Sequence, residues 1–303
     1  MADPHLRIRA SGYGGSGYFN PFTGEKVIGV TTALGAIRAD GITQWAVDQT
    51  AAYAVANVDM LLQRDEERGF AALRWYHNRM TPKKYDEGEV DIYDYHTGVL
   101  NDLAELGTWA HEHAESVVQG LFPPEPTREE HVEMADAFDE WWDQQEVRNI
   151  YSEVTVFGAD YGGTGDLRCE MKIDGEWTWM CIDFKTSRAV YDSHVAQLAA
   201  YGAADTYAKE VPEGTEGAVE YKKKWFVPEP LPPVQRYAVL RIRPSDWDDY
   251  GNYIEPHCTL HFIDQEKIDA GYEMFLGSVQ VRKGQAAYNR IARREKKEAQ
   301  KNE

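Results

Sequence analysis

The stretch from Gly162 to Tyr201, GGTGDLRCEMKIDGEWTWMCIDFKTSRAVYDSHVAQLAAY, admits few folds. Asp174-Gly175 stands between two apolar-rich runs, the strongest short-range signal for a two-residue hairpin turn. The second run, Trp177 to Lys185, is apolar on both parities: Trp177, Trp179 and Cys181 on one, Met180, Ile182 and Phe184 on the other. That pattern predicts a central strand covered on both faces. A helix follows, with Val195, Leu198, Ala199 and Gly202 forming its apolar stripe. Gln197 and Tyr201, four residues apart, share a different face of it.

The second strand ends in two charges. Side chains alternate along a strand, so Asp183 and Lys185 point to one side and Phe184 to the other. The hairpin brings Asp166, near the start of the partner strand, close to Asp183. Two carboxylates and an ammonium at the end of an apolar strand are costly unless something compensates. A divalent cation does so, since carboxylate oxygens suit Mg²⁺ and Mn²⁺. The lysine can then orient the water that attacks a phosphodiester. Taken alone, Asp-x-Lys reads first as a plain ion pair at a strand end. The Gln-x-x-x-Tyr helix at a short distance behind it favours a site.

Gly163-Thr164-Gly165-Asp166, Ile182-Asp183-Phe184-Lys185-Thr186-Ser187 and Gln197-Leu198-Ala199-Ala200-Tyr201 together resemble the PD-(D/E)XK nuclease superfamily, in its RecB-like exonuclease branch with phage and CRISPR-associated members. Gly165 stands where the superfamily's proline would be. The resemblance implies Asp166 and Asp183 as metal ligands, aided by the main-chain carbonyl of Phe184, and Lys185 as the catalytic lysine. Gln197 and Tyr201 would support the site or the DNA, and Arg188 joins that supporting group. Upstream, Gly107-Thr108-Trp109-Ala110-His111 resembles the G-T-x-x-H element of this branch, which implies His111 as a further ligand. His113, on another side of the same helix, is expected at the surface. Glu153, at the front of the core, fits either a group beside the metal or a strand-edge surface charge.

The 303 residues can build a sizeable core, and 43% of them are hydrophobic. No apolar run is long enough to span a bilayer, and the first residues lack an apolar signal segment, so a cytoplasmic protein is expected. Cys169, Cys181 and Cys258 are scattered and too few for a four-cysteine iron–sulfur cluster. There is no Gly-rich nucleotide phosphate loop, hence no nucleotide cofactor is expected. The net charge of −19 runs against DNA binding, although Lys83-Lys84, Lys222 to Lys224 and the C-terminal end are locally basic.

Residues 1–30 read as loop and short strands, and Thr31 or Thr32 as the N-cap of a helix starting near Val30. Residues 42–80 read as mostly helical, and 85–95 as a tyrosine-rich loop. Helices follow over 99–119 and 127–145, the second with Val132, Met134, Phe138, Trp141 and Trp142 as its core residues. The helix after the hairpin is expected over Asp192–Tyr207, and 209–233 as a charged, then proline-rich connector. Strands over 234–242 and 253–262, with a turn at Ser245-Asp246, precede a helix from Gln265 to the end.

The expectation is an α/β protein with a restriction-endonuclease-like mixed central sheet, from strands near 151, 163, 177, 235 and 253, flanked by helices. Residues 1–150 would form a mostly helical N-terminal region contributing His111 and walls of a DNA channel. Residues 151–303 would form the nuclease core, ending in a helix and basic tail. The implied activity is a Mg²⁺- or Mn²⁺-dependent DNA exonuclease in recombination, repair or phage DNA processing. Its partners would be DNA and, in recombination, a single-strand annealing protein; no membrane is involved. Two other readings compete: a non-catalytic DNA-end-binding factor, and an acidic DNA mimic that inhibits a nucleic-acid enzyme.

Overall fold

A computed structural model describes residues 6–10, 15–37, 40–59, 95–248 and 250–300. The protein is mixed α/β, with a large, mostly antiparallel sheet flanked by helices. Two compact units share the chain: one holds residues 1–37 and 109–303, the other residues 38–108. This differs from a division at residue 150, because strands near the N-terminus join the main sheet. The second unit contains helix α2 (Asp40–Ala56), and helix α3 (Tyr95–Val118) begins in it. The expected helix over 60–80, the basic pair Lys83-Lys84 and the loop at 85–95 lie outside the described residues.

In the larger unit, strands β1 (Arg7–Ala10), β2 (Gly15–Asn20) and β3 (Glu25–Gly29) form an antiparallel meander. Short helix α1 (Val30–Leu34) starts directly from β3, with Gly29 as N-cap, so Thr31 and Thr32 lie inside it and do not cap it. After α3 comes α4 (Glu129–Asp143), then strands β4 (Val147–Phe157), β5 (Tyr161–Ile173) and β6 (Glu176–Lys185). Asp174 and Gly175 close the β5–β6 hairpin with φ of 52° and 86°, the left-handed pair that a two-residue turn between right-twisted strands requires.

Helix α5 (Asp192–Ala203) ends four residues sooner than expected. Arg168, buried on β5, explains the stop: its guanidinium donates to the carbonyls of Tyr201 (2.8 Å), Gly202 (3.1 Å) and Ala204 (3.2 Å), and to Pro232 (3.2 Å). It satisfies the carbonyls that a helix end leaves open. The expected connector is instead three strands, β7 (Thr206–Val211), β8 (Val219–Tyr221) and β9 (Lys224–Pro230). Pro228 and Pro230 sit in β9 opposite Ala208 and Thr206. Strand β10 (Arg236–Arg243), a small hairpin of β11 (Asp246–Trp247) and β12 (Tyr253–Ile254), and β13 (His257–Ile263) lead into helix α6 (Gln265–Ala299).

The main sheet runs β1-β2-β3-β5-β4-β7-β9-β8, and β6, β10 and β13 extend it from β5. Among the described residues, only β3–β5 and β6–β10 are parallel. One face buries Cys181 and Val239 under Leu198 and Ala199 of α5, with Ile268 and Phe275 of α6 completing that core. On the other face Phe184 packs against Phe138 of α4, ring centroids 5.9 Å apart. This double cover is what an apolar run of both parities requires. On α4, Met134 and Phe138 are buried as expected, whereas Val132 is 45% exposed and Trp141 and Trp142 are half-buried. His131 takes the inward position instead, its ring stacked 4.2 Å from Trp109. Among the described residues, no helix is long and apolar enough to cross a membrane.

Candidate active site

The sheet forks along one edge of β5. Strand β3 pairs with it only at Tyr161 and Gly162, and β6 only from Leu167 onward. Residues 163–166 lie between the two pairings, so groups there can serve something other than a ladder. Asp166 shows it: its Oδ2 accepts the main-chain N–H of Phe184 at 2.6 Å, in place of a strand–strand bond.

Four elements deliver side chains to this fork. From α3, His111 places Nδ1 3.6 Å from Asp166 Oδ1, with its ring edge-on to Phe184. From β4, Glu153 lies opposite Asp166, because the register pairs Ser152 with Leu167 and Val154 with Gly165. Glu153 has φ 53°, a left-handed conformation costing about 1–3 kcal/mol for a residue with a side chain. His111, Glu153 and Asp166 each offer a ligand atom within 4.8 Å of the others. From β6, Lys185 is ion-paired to Asp183 and donates to the carbonyl of Phe184 at 3.1 Å.

Charges at the fork set one another's protonation. Burial alone would raise the pKa of Asp166, but His111, Lys185 and the Phe184 N–H hold it down at about 2. Burial alone would lower that of His111, and Asp166 outweighs it, so the imidazole holds its proton above its ordinary range. Burial, and then Asp166, push Glu153 up to about 7. Burial pushes Asp183 up to about 6 against the pull of Lys185. Lys185 stays charged: burial opposes it, but Asp183 and Asp166 raise its pKa.

Asp183 is fully buried, and among the described residues its Oδ1 has no hydrogen-bond partner. A buried carboxylate oxygen without a donor is destabilising unless a cation or a proton meets it. The donor set of His111, Glu153 and Asp166, two carboxylates with one imidazole, is that of a hard or borderline divalent cation. The residues present thus fit Mg²⁺ or Mn²⁺.

Neither the models of known protein families nor the curated proteins give a match to this chain.

Of the glycines before Asp166, Gly163 makes room for α5. A Cβ on Gly163 would stand 2.6 Å from Tyr201 Cε1 and 2.9 Å from Val30 Cγ2, so only glycine lets α5 and α1 approach β5 here. Tyr201 is buried, and Gln197 Nε2 donates to its hydroxyl at 3.3 Å. Burial, and then Asp183 and Asp166, hold the Tyr201 phenol far from ionisation. The two therefore sit together beside the carboxylates. Arg188 lies elsewhere: it is exposed, just past Lys185, and paired with Asp246 at 2.8 Å.

His113, expected at the surface, is only 4% exposed. Its Nε2 lies 2.8 Å from Asp139 Oδ1, and its ring stacks on Trp109 and meets Phe138 edge-on. Periodicity misplaced it because α3 has a second contact face toward α4. His194 went unnoticed in the sequence. It stands in the first turn of α5, where burial and then Lys185 drive its pKa down to about 4. Its spacing, three residues before Gln197, was the available signal.

Proposed function

We propose that the protein is a divalent-metal-dependent deoxyribonuclease, an exonuclease of the RecB-like PD-(D/E)XK type, and that its forked sheet is a restriction-endonuclease-like core. The observation that carries this reading is the fork itself: Asp166, Asp183, Glu153, His111 and Lys185 arrive there from three strands and a helix. Support also comes from Asp183 Oδ1, buried without a donor among the described residues.

His111, Asp166 and Asp183, with Glu153 and the Phe184 carbonyl beside them, would hold Mg²⁺ or Mn²⁺. When bound, such an ion lowers the pKa of water and neutralises phosphate charge. The chain's own groups do the rest. Lys185, charged and held between Asp183 and the Phe184 carbonyl, has a third N–H with no partner among the described residues, which would donate to the attacking water or a phosphate oxygen. The Phe184 N–H fixes Asp166, leaving Oδ1 toward His111. Tyr201 and Gln197 wall the carboxylates from bulk water, which strengthens every charge interaction at the fork.

End-labelled linear and closed circular DNA, incubated with Mg²⁺, Mn²⁺ or EDTA, test this. The expected result is metal-dependent loss of linear DNA alone, absent in Lys185→Ala. Cleavage of circles would make the enzyme an endonuclease. No cleavage with either metal, or full activity in folded Lys185→Ala, would overturn the reading.

A further inference from the structure

Helix α6 outruns the body it packs on. Phe275, Val279 and Ala286 are buried on its inner face, and every residue from 288 to 300 is exposed. At about 1.5 Å per residue, the free part up to Ala299 is about 18 Å long. Just before it leaves, Arg282 Nε donates to the Thr32 carbonyl of α1 at 3.0 Å, and Lys283 pairs with Asp160 at 2.9 Å. Asp160 directly precedes β5, and Val30 of α1 lies against Gly163, so the helix is fastened to two elements beside the fork.

Charge sets the free part apart. It carries Arg290, Arg293, Arg294, Lys296 and Lys297 against Glu295 and Glu298, in a chain of net charge −19. At about 100° per residue, Arg290, Arg293, Arg294 and Lys297 fall within one arc of about 100°, in line with Phe275, Val279 and Ala286. Glu295 and Glu298 lie on another side, with Tyr288 and Ile291. None of the five cations makes an ion pair or a side-chain hydrogen bond among the described residues.

The stripe repels itself. Arg290 and Arg294, and Arg293 and Lys297, are like charges four residues apart, an arrangement that destabilises an exposed helix. Neither glutamate has a basic residue four positions on, the placement that would stabilise it. The helix dipole favours cations in the last turn, which accounts for Lys296 and Lys297 and not for the three arginines. A polyanion completes such a surface: it removes the repulsion and gives up condensed counterions on binding. The stripe holds no ring, so it cannot stack on bases as single-strand binders do. It matches a regular row of phosphates, since Arg290 to Lys297 spans about 10 Å, about three phosphates along one strand of a duplex.

We infer that the exposed end of α6 is a cationic arm that lies along the phosphate backbone of duplex DNA beyond the fork. This rests on the nuclease reading above and extends it to how the substrate is held.

The test is anisotropy binding of a labelled blunt duplex in EDTA over a salt series, with Mg²⁺-dependent hydrolysis of the same duplex. The variant Arg290→Gln/Arg293→Gln/Arg294→Gln/Lys297→Gln changes only exposed positions and keeps good helix formers. In it the slope of log Kd against log salt should fall by about 3, and Kd at about 0.1 M salt should rise about tenfold or more. The KM should rise with Kd while kcat stays within about twofold, as expected for side chains outside the chemistry. Arg290→Lys/Arg293→Lys/Arg294→Lys keeps the charge and should keep the slope. Lys222→Gln/Lys223→Gln removes exposed cations elsewhere and should leave slope and Kd unchanged. An unchanged slope in the four-glutamine variant, or the same fall per charge in the Lys222 and Lys223 variant, would overturn the arm and leave the nuclease reading standing. Self-association of the wild type at low salt, lost in the four-glutamine variant while duplex binding persists, would assign the stripe to a second copy of this acidic chain and also overturn the arm. Arm-dependent duplex binding without any cleavage would keep the arm and sink the nuclease. Neither binding nor cleavage would sink both.

Discussion

Strand β5 buries two opposite charges two residues apart, Asp166 and Arg168, and they are treated differently. Arg168 is surrounded by carbonyls from the end of α5 and from Pro232, so its charge is fully spent in tying elements together. The Asp166 side is left incomplete. Its neighbour Asp183 has an oxygen without a donor among the described residues, Glu153 is pushed toward its protonated form, and Glu153 also holds a strained backbone. A buried charge with a closed shell of partners stabilises; one with an open shell costs stability and is kept for a ligand. On that contrast we propose that Arg168 is structural and the fork functional.

The contrast breaks most visibly at Lys185. Lys185→Ala should lower metal-dependent DNA cleavage by about a thousandfold or more, the range of a lost proton-handling or charge-stabilising group, in a variant that still folds but loses stability because the buried Asp183 is left unpaired. Cleavage kept in the folded variant would mean that the fork is a structural ion pair after all. Arg168→Met should do the reverse. It leaves the carbonyls of α5 unpaired and should cost about 3–5 kcal/mol in denaturant unfolding. A variant of wild-type stability would remove one side of the comparison.

Gly163→Ala probes the seam between the two regions. The added methyl meets Tyr201 and Val30, and the expected cost is about 1–3 kcal/mol. Combining it with Tyr201→Leu should give a loss smaller than the sum, because both act on one contact.

A further effect, confined to acid, is one of pH. His194 titrates at about 4 when folded, below its ordinary value of 6.5, because burial and Lys185 disfavour its charge. The unfolded chain therefore binds more protons between those values, and stability is fully present above pH 6.5 and falls as pH drops toward 4. His194→Asn should flatten that part of the melting temperature against pH. An unaltered slope would detach His194 from the lysine.

Much of this was legible in the sequence. The turn at Asp174-Gly175, the doubly covered β6 and the convergence of Asp166, Asp183 and Lys185 follow from period-two alternation and hairpin geometry. What escaped was set by long-range partners. Arg168 ends α5 from another strand, so helical periodicity ran on to Tyr207. Strands β7 to β9 lack strong alternation, and the prolines of β9 spoke for a connector. His113 turned inward because α4 packs on a side of α3 that its own apolar stripe does not mark. The strained backbone of Glu153 has no local signal at all, and its carboxylate's place within 4.8 Å of His111 and Asp166, which puts it at the fork, comes from strand register.

The most direct test of the account is a Mn²⁺ titration of the full chain, followed by the loss of free-ion electron paramagnetic resonance signal, in wild type, Asp166→Asn and Arg168→Met. Saturable binding by the wild type and the Arg168 variant, lost or weakened tenfold or more in Asp166→Asn, is the predicted result, in line with removing one charged ligand. Absence of saturable binding, or equal binding by wild type and Asp166→Asn, would contradict the claim that the open side of β5 is a cation site.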